Sequence, residues 1–236
     1  MISGKRVIAA MLTALMAVTF TANTAVSVYA TGVTATENAQ TIDAQSTDAQ
    51  ALTPEEQKAQ ELQQVYDMPV ESNGYKDWPQ GPGTYGEAGI VMEVGTGTIL
   101  YAKNIDAHEY PASITKVLTA LVALENGQLT DNVTFSHDSV AFLQRGDSSV
   151  GLKEENVITL DQAMHAMLLA SANEAAYAIG ESVGVNAGHD YNWFIEQMNS
   201  RCKELGGENS NFANTNGLHD PNHYTCARDM ALIGRE

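Results

Sequence analysis

The chain has 236 residues, and 12 Lys and Arg against 29 Asp and Glu give it a formal net charge of -17. That length suits one full domain with appended segments, and a hydrophobic fraction of 44% excludes a fully disordered chain. The acidic balance argues against nucleic-acid binding and against docking on anionic lipid, because both require concentrated Lys and Arg. Two cysteines exclude a disulfide-rich scaffold.

The N-terminal segment has the layout of a secretory signal peptide. Lys5 and Arg6 precede an apolar run from 7 to 22, and the Val-Tyr-Ala of 28–30 places small residues where a signal peptidase cleaves. The alternative is a transmembrane anchor, but the run is near the lower end of the ~17–25 residues needed to span a bilayer and is diluted by Thr. We therefore expect residues 1–30 to be a cleaved signal peptide.

The segment 31–66 is predicted to be a disordered acidic linker that ends in a short helix. Residues 31–50 contain no aromatic and hardly any large apolar side chain, so they cannot bury enough surface to offset the entropy cost of ordering. Thr53 has the character of an N-cap and Pro54 of a first helical residue, and acidic residues follow in the first turn. This pattern predicts a polar helix to about Tyr66.

Residues 67–236 are predicted to form one domain of mixed α and β structure. Alternating β-branched runs at 88–94 and 98–103 flank a Gly-Thr-Gly turn, which predicts a β-hairpin. Apolar residues at helical spacing predict helices at 113–126, 160–170, 174–183, 190–205 and from 225 onward. The first of these is apolar almost all round, so it should be a central buried helix.

Only the two strands of the hairpin are recognisable, and an isolated hairpin is marginally stable. The final helical pattern also has no stop signal before residue 236. We therefore expect the sheet to be incomplete and the domain 67–236 to be truncated at its C-terminus.

Ser113 and Lys116 are candidates for a nucleophile and its base. Their spacing places them on one helical face, and Ser113 at the helix start lies near free N–H groups that can stabilise an oxyanion. Apolar neighbours desolvate Lys116 and favour its neutral form. The alternative is a capping serine and a lysine whose amine reaches solvent.

The sequence contains its own control for this spacing. Ser200 and Lys203 are also three residues apart, but they lie late in a polar helix beside charged residues. No free N–H groups surround that serine, and its lysine should be solvated. Context therefore selects Ser113 over Ser200.

A second candidate element is Ser171-Ala-Asn173, between two predicted helices. The hydroxyl could relay a proton and the amide could hold both Lys116 and substrate. The alternative is a plain helix end and N-cap, since Ser and Asn favour those places.

These segments together resemble the serine-type D-alanyl-D-alanine carboxypeptidases, the low-molecular-weight penicillin-binding proteins. The resemblance covers about residues 86–236 and rests on Pro111-Ala-Ser113-Ile-Thr-Lys116, Ser171-Ala-Asn173-Glu-Ala, Asn214-Thr-Asn216-Gly217-Leu218 and His223-Tyr224-Thr225. It implies a β-lactamase/transpeptidase-like fold, with a helical cluster packed on an antiparallel sheet. It also implies export to the outer face of a bacterial cell envelope.

By this resemblance Ser113 is the nucleophile that forms an acyl-enzyme with the penultimate D-Ala carbonyl, and Lys116 is its base. Ser171 assists protonation of the departing D-Ala, and Asn173 holds Lys116 and the substrate amide. The implied partners are a peptidoglycan stem peptide ending in D-Ala-D-Ala and β-lactam inhibitors. The family's Lys-Thr-Gly motif occurs nowhere in the chain, so we expect the parent protein to be active and this polypeptide alone to be inactive. A missing C-terminal segment would be the place for any membrane anchor.

Two other functions remain open. A β-lactamase would use the same serine and lysine, but the segment 174–212 lacks a convincing Glu-x-x-Leu-Asn loop to hold its water. An exported, non-catalytic binding protein of the same fold is the third possibility. We predict no cofactor and no metal site, because Pro221 opposes a helix that would align His219 and His223. Cys202 and Cys226 could pair in an exported protein, but nothing in the sequence requires it.

Overall fold

The structure is a computed structural model that describes residues 52–236, and the chain divides into two units at Asp67. In the first unit the described part is helix α1, Pro54–Tyr66. Thr53 Oγ1 accepts the Glu56 N–H and the Glu56 carboxylate accepts the Thr53 N–H, so the two residues form a capping box.

The helix predicted to end near Tyr66 is therefore confirmed, with Pro54 at its first position. The predicted signal peptide and residues 31–50 of the predicted linker lie outside the described residues.

The second unit, 68–236, combines six α-helices and two short 3₁₀ helices with two small antiparallel sheets within the described residues. The helices are α2 (Thr115–Asn126), α3 (His137–Ala141), α4 (Leu160–Leu169), α5 (Asn173–Asn186), α6 (Tyr191–Glu204) and α7 (Ala227–Arg235). The strands are β1 (Gly89–Met92), β2 (Ile99–Lys103), β3 (Asn132–Thr134) and β4 (Val157–Thr159). The predicted mixed fold with a helical cluster and a small sheet is confirmed.

The predicted hairpin is β1 paired with β2, and its turn contains Gly97 at a φ of 73°. The second sheet, β3 paired with β4, is absent from the sequence-based prediction, which recognised two strands only. Each of these strands has three residues, so neither is long enough to display an alternating pattern. The sequence also did not predict helix α3, because its five residues are too few to display a helical period.

Helix α2 lies at the centre of the helical cluster and contacts α4, α5, α6 and α7. Its buried side chains, among them Leu118, Val122 and Ala123, recur at helical spacing around most of its circumference. The prediction of a central buried helix is confirmed, although the α-helix begins at Thr115 and not at Ser113. A 3₁₀ turn, Ala112–Ile114, precedes it. Thr115 and Lys116, the polar side chains at the start of α2, are buried inside the domain.

None of the helices in residues 52–236 has both the length and the apolar character required to cross a membrane.

Candidate active site

Three separate parts of the chain meet at the amine of Lys116. The side chain is 2% exposed. Its Nζ donates to Ser113 Oγ at 3.0 Å, to Asn173 Oδ1 at 2.8 Å and to the backbone carbonyl of Asn216 at 2.7 Å. These acceptors come from the 3₁₀ turn before α2, the first residue of α5 and the loop before α7. The structure thus brings Lys116 together with two of the predicted site residues.

Burial changes the protonation of this lysine. Desolvation lowers the pKa of Lys116 from 10.5 to about 8, and the nearby Glu174 carboxylate opposes part of that shift. A lysine with such a pKa is partly neutral near physiological pH, so it can accept a proton from a neighbouring hydroxyl. Its third acceptor, the Asn216 carbonyl, holds the amine against Ser113.

Ser113 lies in the 3₁₀ turn and is exposed, while its neighbour Lys116 is buried. Ser113 Oγ accepts hydrogen bonds from Lys116 Nζ and from Ser171 Oγ, the latter at 2.8 Å. The preceding residue, Ala112, has a φ of 48°, a conformation that L-residues rarely adopt. The hydroxyl is therefore open to an incoming molecule on one side and hydrogen-bonded to a potential base on the other.

Gly217 allows the backbone to approach this turn closely. A Cβ at Gly217 would lie 1.7 Å from the carbonyl oxygen of Ala112, and the φ of Gly217 is 85°. Only glycine fits both requirements. The 213–218 segment can therefore pack directly against the peptide bond between Ala112 and Ser113.

Ser171 and Asn173 do not form the plain helix cap that was the alternative to a site. The N-cap of α5 is Ala172, which makes no side-chain capping bond, and the C-cap of α4 is Ala170. Ser171 has a φ of 56° and donates to Ser113 Oγ. Two of the five non-glycine residues with positive φ in the described chain, Ala112 and Ser171, thus flank the same hydroxyl. Such strain is maintained where the surroundings hold a functional geometry.

The segment 213–223 supplies contacts that sequence reasoning missed. Thr119 Oγ1 donates to the Thr215 carbonyl at 2.7 Å, one turn along α2 from the Lys116–Asn216 bond. The family resemblance includes Asn214 to Leu218 but implies no role for them. A carbonyl acceptor has no residue-type signature, so no pattern could have revealed it.

His223 anchors the same segment to α2. Its Nδ1 accepts the Ala213 N–H at 3.0 Å, so Nε2 carries the proton and donates to Thr115 Oγ1 at 2.8 Å. Burial lowers the pKa of His223 to about 4, which keeps the ring neutral at physiological pH. The imidazole thus connects the residue before Lys116 to the loop that binds Lys116.

Glu174 is a second residue near the site to which the sequence alone assigns no role. Its carboxylate is buried next to Asn173, and Oε1 accepts from Ser149 Oγ, Val150 N and Gly151 N at 2.7 to 3.1 Å. The Asn173 N–H also donates to the Ser148 carbonyl. A charged residue among the alanines that begin α5 was the available signal, since an acid is seldom buried without a partner.

The control pair Ser200 and Lys203 is exposed on α6, as predicted. Ser200 Oγ donates to Glu204 at 3.4 Å. Within residues 52–236 the amine of Lys203 has no buried hydrogen-bond acceptor, and no residue accepts from it as Asn173 accepts from Lys116.

The described residues contain no group of three or more side chains placed to hold a metal ion. Both cysteines, Cys202 and Cys226, are buried and free, so the possible disulfide is not formed in the structure. The rings of His219 and Tyr110 make an edge contact, and His223 is hydrogen-bonded to Thr115.

The chain is similar to known proteins of one family. The family model for D-alanyl-D-alanine carboxypeptidase matches residues 79–236. The carboxypeptidase DacA of Haemophilus influenzae is 34% identical over 150 residues, 61% of this chain and 37% of the relative. DacF of Bacillus subtilis is 32% identical over 155 residues, 64% of this chain and 38% of the relative.

A solved structure gives the same result for the fold. Penicillin binding protein 5 from Haemophilus influenzae superposes with a TM-score of 0.59 at 30% identity, over 66% of this chain and 46% of that one. The chain spans less than two fifths of the length of the two curated relatives. Because the family model covers most of the chain, including Ser113, Lys116, Ser171 and Asn173, the protein belongs to the D-alanyl-D-alanine carboxypeptidase family.

Proposed function

We propose that the protein is a serine-type D-Ala-D-Ala carboxypeptidase, which removes the terminal D-alanine from peptidoglycan stem peptides. The observation that carries this proposal is the amine of Lys116, which is buried, has a pKa lowered to about 8 and lies 3.0 Å from an exposed serine hydroxyl. Family membership supplies the substrate class.

The reaction follows from the positions of these groups. Neutral Lys116 takes the proton of Ser113 as Oγ attacks the carbonyl of the penultimate D-Ala. Ser171 Oγ, 2.8 Å from Ser113 Oγ, passes its proton to the nitrogen of the departing D-Ala as the C–N bond breaks, and the protonated Lys116 replaces that proton on Ser171, so that the amine is neutral again. Water then hydrolyses the Ser113 ester and restores the hydroxyl. Asn173 holds the Lys116 amine and the amide of the substrate.

The same chemistry accounts for penicillin as an inhibitor. A β-lactam resembles the acyl-D-Ala-D-Ala end, so Ser113 opens its ring and remains esterified. We also propose export, with the predicted signal peptide removed, because peptidoglycan lies outside the bacterial cytoplasmic membrane.

Labelling by fluorescent penicillin tests the proposal. In the full-length gene product we expect a covalent adduct that is lost in Ser113→Ala and retained in Ser200→Ala, the matched control with the same spacing to a lysine. Release of D-alanine from a D-Ala-D-Ala pentapeptide should be lost with it. Labelling that survives Ser113→Ala would refute the assignment. Steady turnover of nitrocefin would instead support a β-lactamase, and an unlabelled protein would support a binding role.

A further inference from the structure

Helix α5 begins without a side-chain cap. Its N-cap is Ala172, which makes no side-chain capping bond. The polar side chains on either side of it, Ser171 and Asn173, are used in the proposed active site instead. The first N–H groups of a helix need acceptors from outside the helix. The helix start that carries two proposed catalytic side chains therefore depends on another part of the chain for its backbone hydrogen bonds.

The segment 148–151 makes these hydrogen bonds. The Asn173 N–H donates to the Ser148 carbonyl at 2.9 Å. In the opposite direction, three donors of residues 149–151, one hydroxyl and two backbone N–H groups, meet Oε1 of Glu174 at 2.7 to 3.1 Å. These hydrogen bonds join the segment to the first two residues of α5.

The Glu174 carboxylate lies in surroundings that an acid seldom occupies. Its side chain is fully buried, and Oε2 has no hydrogen-bond partner within residues 52–236. Burying a charged group costs free energy unless its atoms are hydrogen-bonded. The positive end of the helix dipole offsets part of this cost in the first turn of α5. The donors to Oε1 offset more of it, and these are the same contacts that hold the segment 148–151.

The position of Glu174 connects these contacts to the proposed catalytic groups. Glu174 directly follows Asn173, whose Oδ1 lies 2.8 Å from Lys116 Nζ. Ser171 Oγ lies 2.8 Å from Ser113 Oγ. A displacement of the helix start by about 1 Å would break hydrogen bonds of this length. Misplacement of that size can slow a reaction by about 10²-fold.

We infer that Glu174 is a positioning residue for the proposed reaction, because it binds the segment 148–151 to the start of α5. This connection holds Ser171 and Asn173 in the positions that their proposed roles require. The inference rests on the proposed function, which assigns those two side chains their roles. Glu174 takes no part in the chemistry and acts through the residues that precede it.

Acylation by fluorescent penicillin tests the inference in the full-length gene product. The rate at saturating penicillin and the half-saturating concentration are measured separately. The assay is run at about pH 9, where loss of the Glu174 charge has little effect on the protonation of Lys116. Glu174→Ala should lower the saturating rate by about 10²-fold and leave the half-saturating concentration unchanged, because the catalytic groups are misplaced while the binding surface remains.

Three further variants separate positioning from a general loss of stability. Glu174→Gln should restore most of the rate, since its amide oxygen can accept from the same donors. Ser149→Ala removes one of the donors, so it should slow acylation less than Glu174→Ala does. Glu181→Ala is the matched control and should keep the full rate. Glu181 is also on α5 and accepts from a serine hydroxyl, Ser136 Oγ at 2.6 Å, but lies about two turns from Glu174.

Hydrogen exchange measures the connection itself, without turnover. The amides of Val150, Gly151 and Asn173 are hydrogen-bonded in the connection, so they should be protected from exchange in the wild-type protein. Glu174→Ala should speed their exchange, and Glu181→Ala should not. Exchange is followed by mass spectrometry of peptides that cover 148–151 and 171–176.

Unchanged exchange in Glu174→Ala would overturn the inference, and so would faster exchange with an unchanged rate of acylation. An equal loss of rate in Glu181→Ala would overturn it as well. If Glu174→Ala does not fold, Ser149→Ala decides, and wild-type exchange and rate in that variant would contradict the inference. Absence of penicillin labelling in the wild-type protein removes the proposed function itself. Labelling together with unchanged exchange in the variants removes the positioning role alone.

Discussion

The molecule contains two serine–lysine pairs with identical spacing, but the two pairs differ in burial and in hydrogen-bond partners. Lys116 is buried among acceptors contributed by residues 113, 173 and 216. Lys203 is exposed at the end of α6, and its serine bonds to the adjacent Glu204. A helix can bring the two side chains of either pair within reach, but it cannot desolvate the amine. Desolvation at Lys116 requires side chains and backbone from more than 50 residues away in the sequence.

The largest contrast should come from removing each lysine. Lys116→Ala should slow acylation of the full-length gene product by fluorescent penicillin by about 10²–10⁴-fold, the usual contribution of a general base. Lys203→Ala should leave the rate within experimental error. The rates are measured by gel fluorescence against time, and similar rates for the two variants would remove the distinction between the pairs.

Gly217 tests how closely the loop must approach the Ser113 turn. Gly217→Ala should lower the free energy of unfolding by about 4 kcal/mol or more, since its Cβ collides with the Ala112 carbonyl. Gly146→Ala is the matched control, because Gly146 also has a positive φ but nothing within 4 Å. That variant should lose about 1–2 kcal/mol, the backbone strain alone. Urea unfolding followed by circular dichroism measures both, and equal losses would show that the close approach is not required.

His223 should make the stability of the domain sensitive to acid. Its pKa is lowered from 6.5 to about 4 in the folded chain, so between these pH values the unfolded chain binds a proton that the folded chain does not. Stability therefore falls as the pH drops from 6.5 to 4, by up to about 3 kcal/mol. Urea midpoints across this range should show the loss, and His223→Gln should show a smaller pH dependence. An unchanged slope in the variant would assign the acid sensitivity elsewhere.

The smallest effect concerns the charge next to the site. Acylation should increase with pH around the pKa of Lys116, about 8, because the neutral amine is the proposed base. Glu174→Gln removes a charge that raises this pKa, so the midpoint of the pH–rate profile should move to lower pH. Glu181→Gln, on the same helix, is the control that should leave the midpoint unchanged. A midpoint that moves upward in Glu174→Gln would contradict the proposed role of Lys116.

The sequence predicted the parts of the fold that are long and periodic. Helix α2, the capping box of α4 formed by Thr159 and Gln162, and the β1–β2 hairpin follow from local patterns. Strands β3 and β4 could not be recognised, because each has three residues and its partner lies more than 20 residues away. Non-local pairing determines such strands, and local preference contributes little.

The site was predictable to the extent that side-chain identity defines it. Ser113, Lys116, Ser171 and Asn173 were selected from the sequence, and the structure brings their polar atoms together. The sequence could not predict the hydrogen bond to the Asn216 carbonyl, because every residue has a backbone carbonyl. It could not predict the close approach of Gly217 either, because that contact depends on the absence of a side chain. The link from His223 to Thr115 requires knowledge of how residues 108 positions apart meet.

The dispersed origin of the Lys116 acceptors has a consequence for the newly made polypeptide. Before residues 173 and 216 arrive, the amine is solvated and has the ordinary lysine pKa of 10.5. Ser113 is then as unreactive as any serine in an unstructured peptide. Under the proposed function, the polypeptide therefore carries no activated nucleophile before the chain has folded.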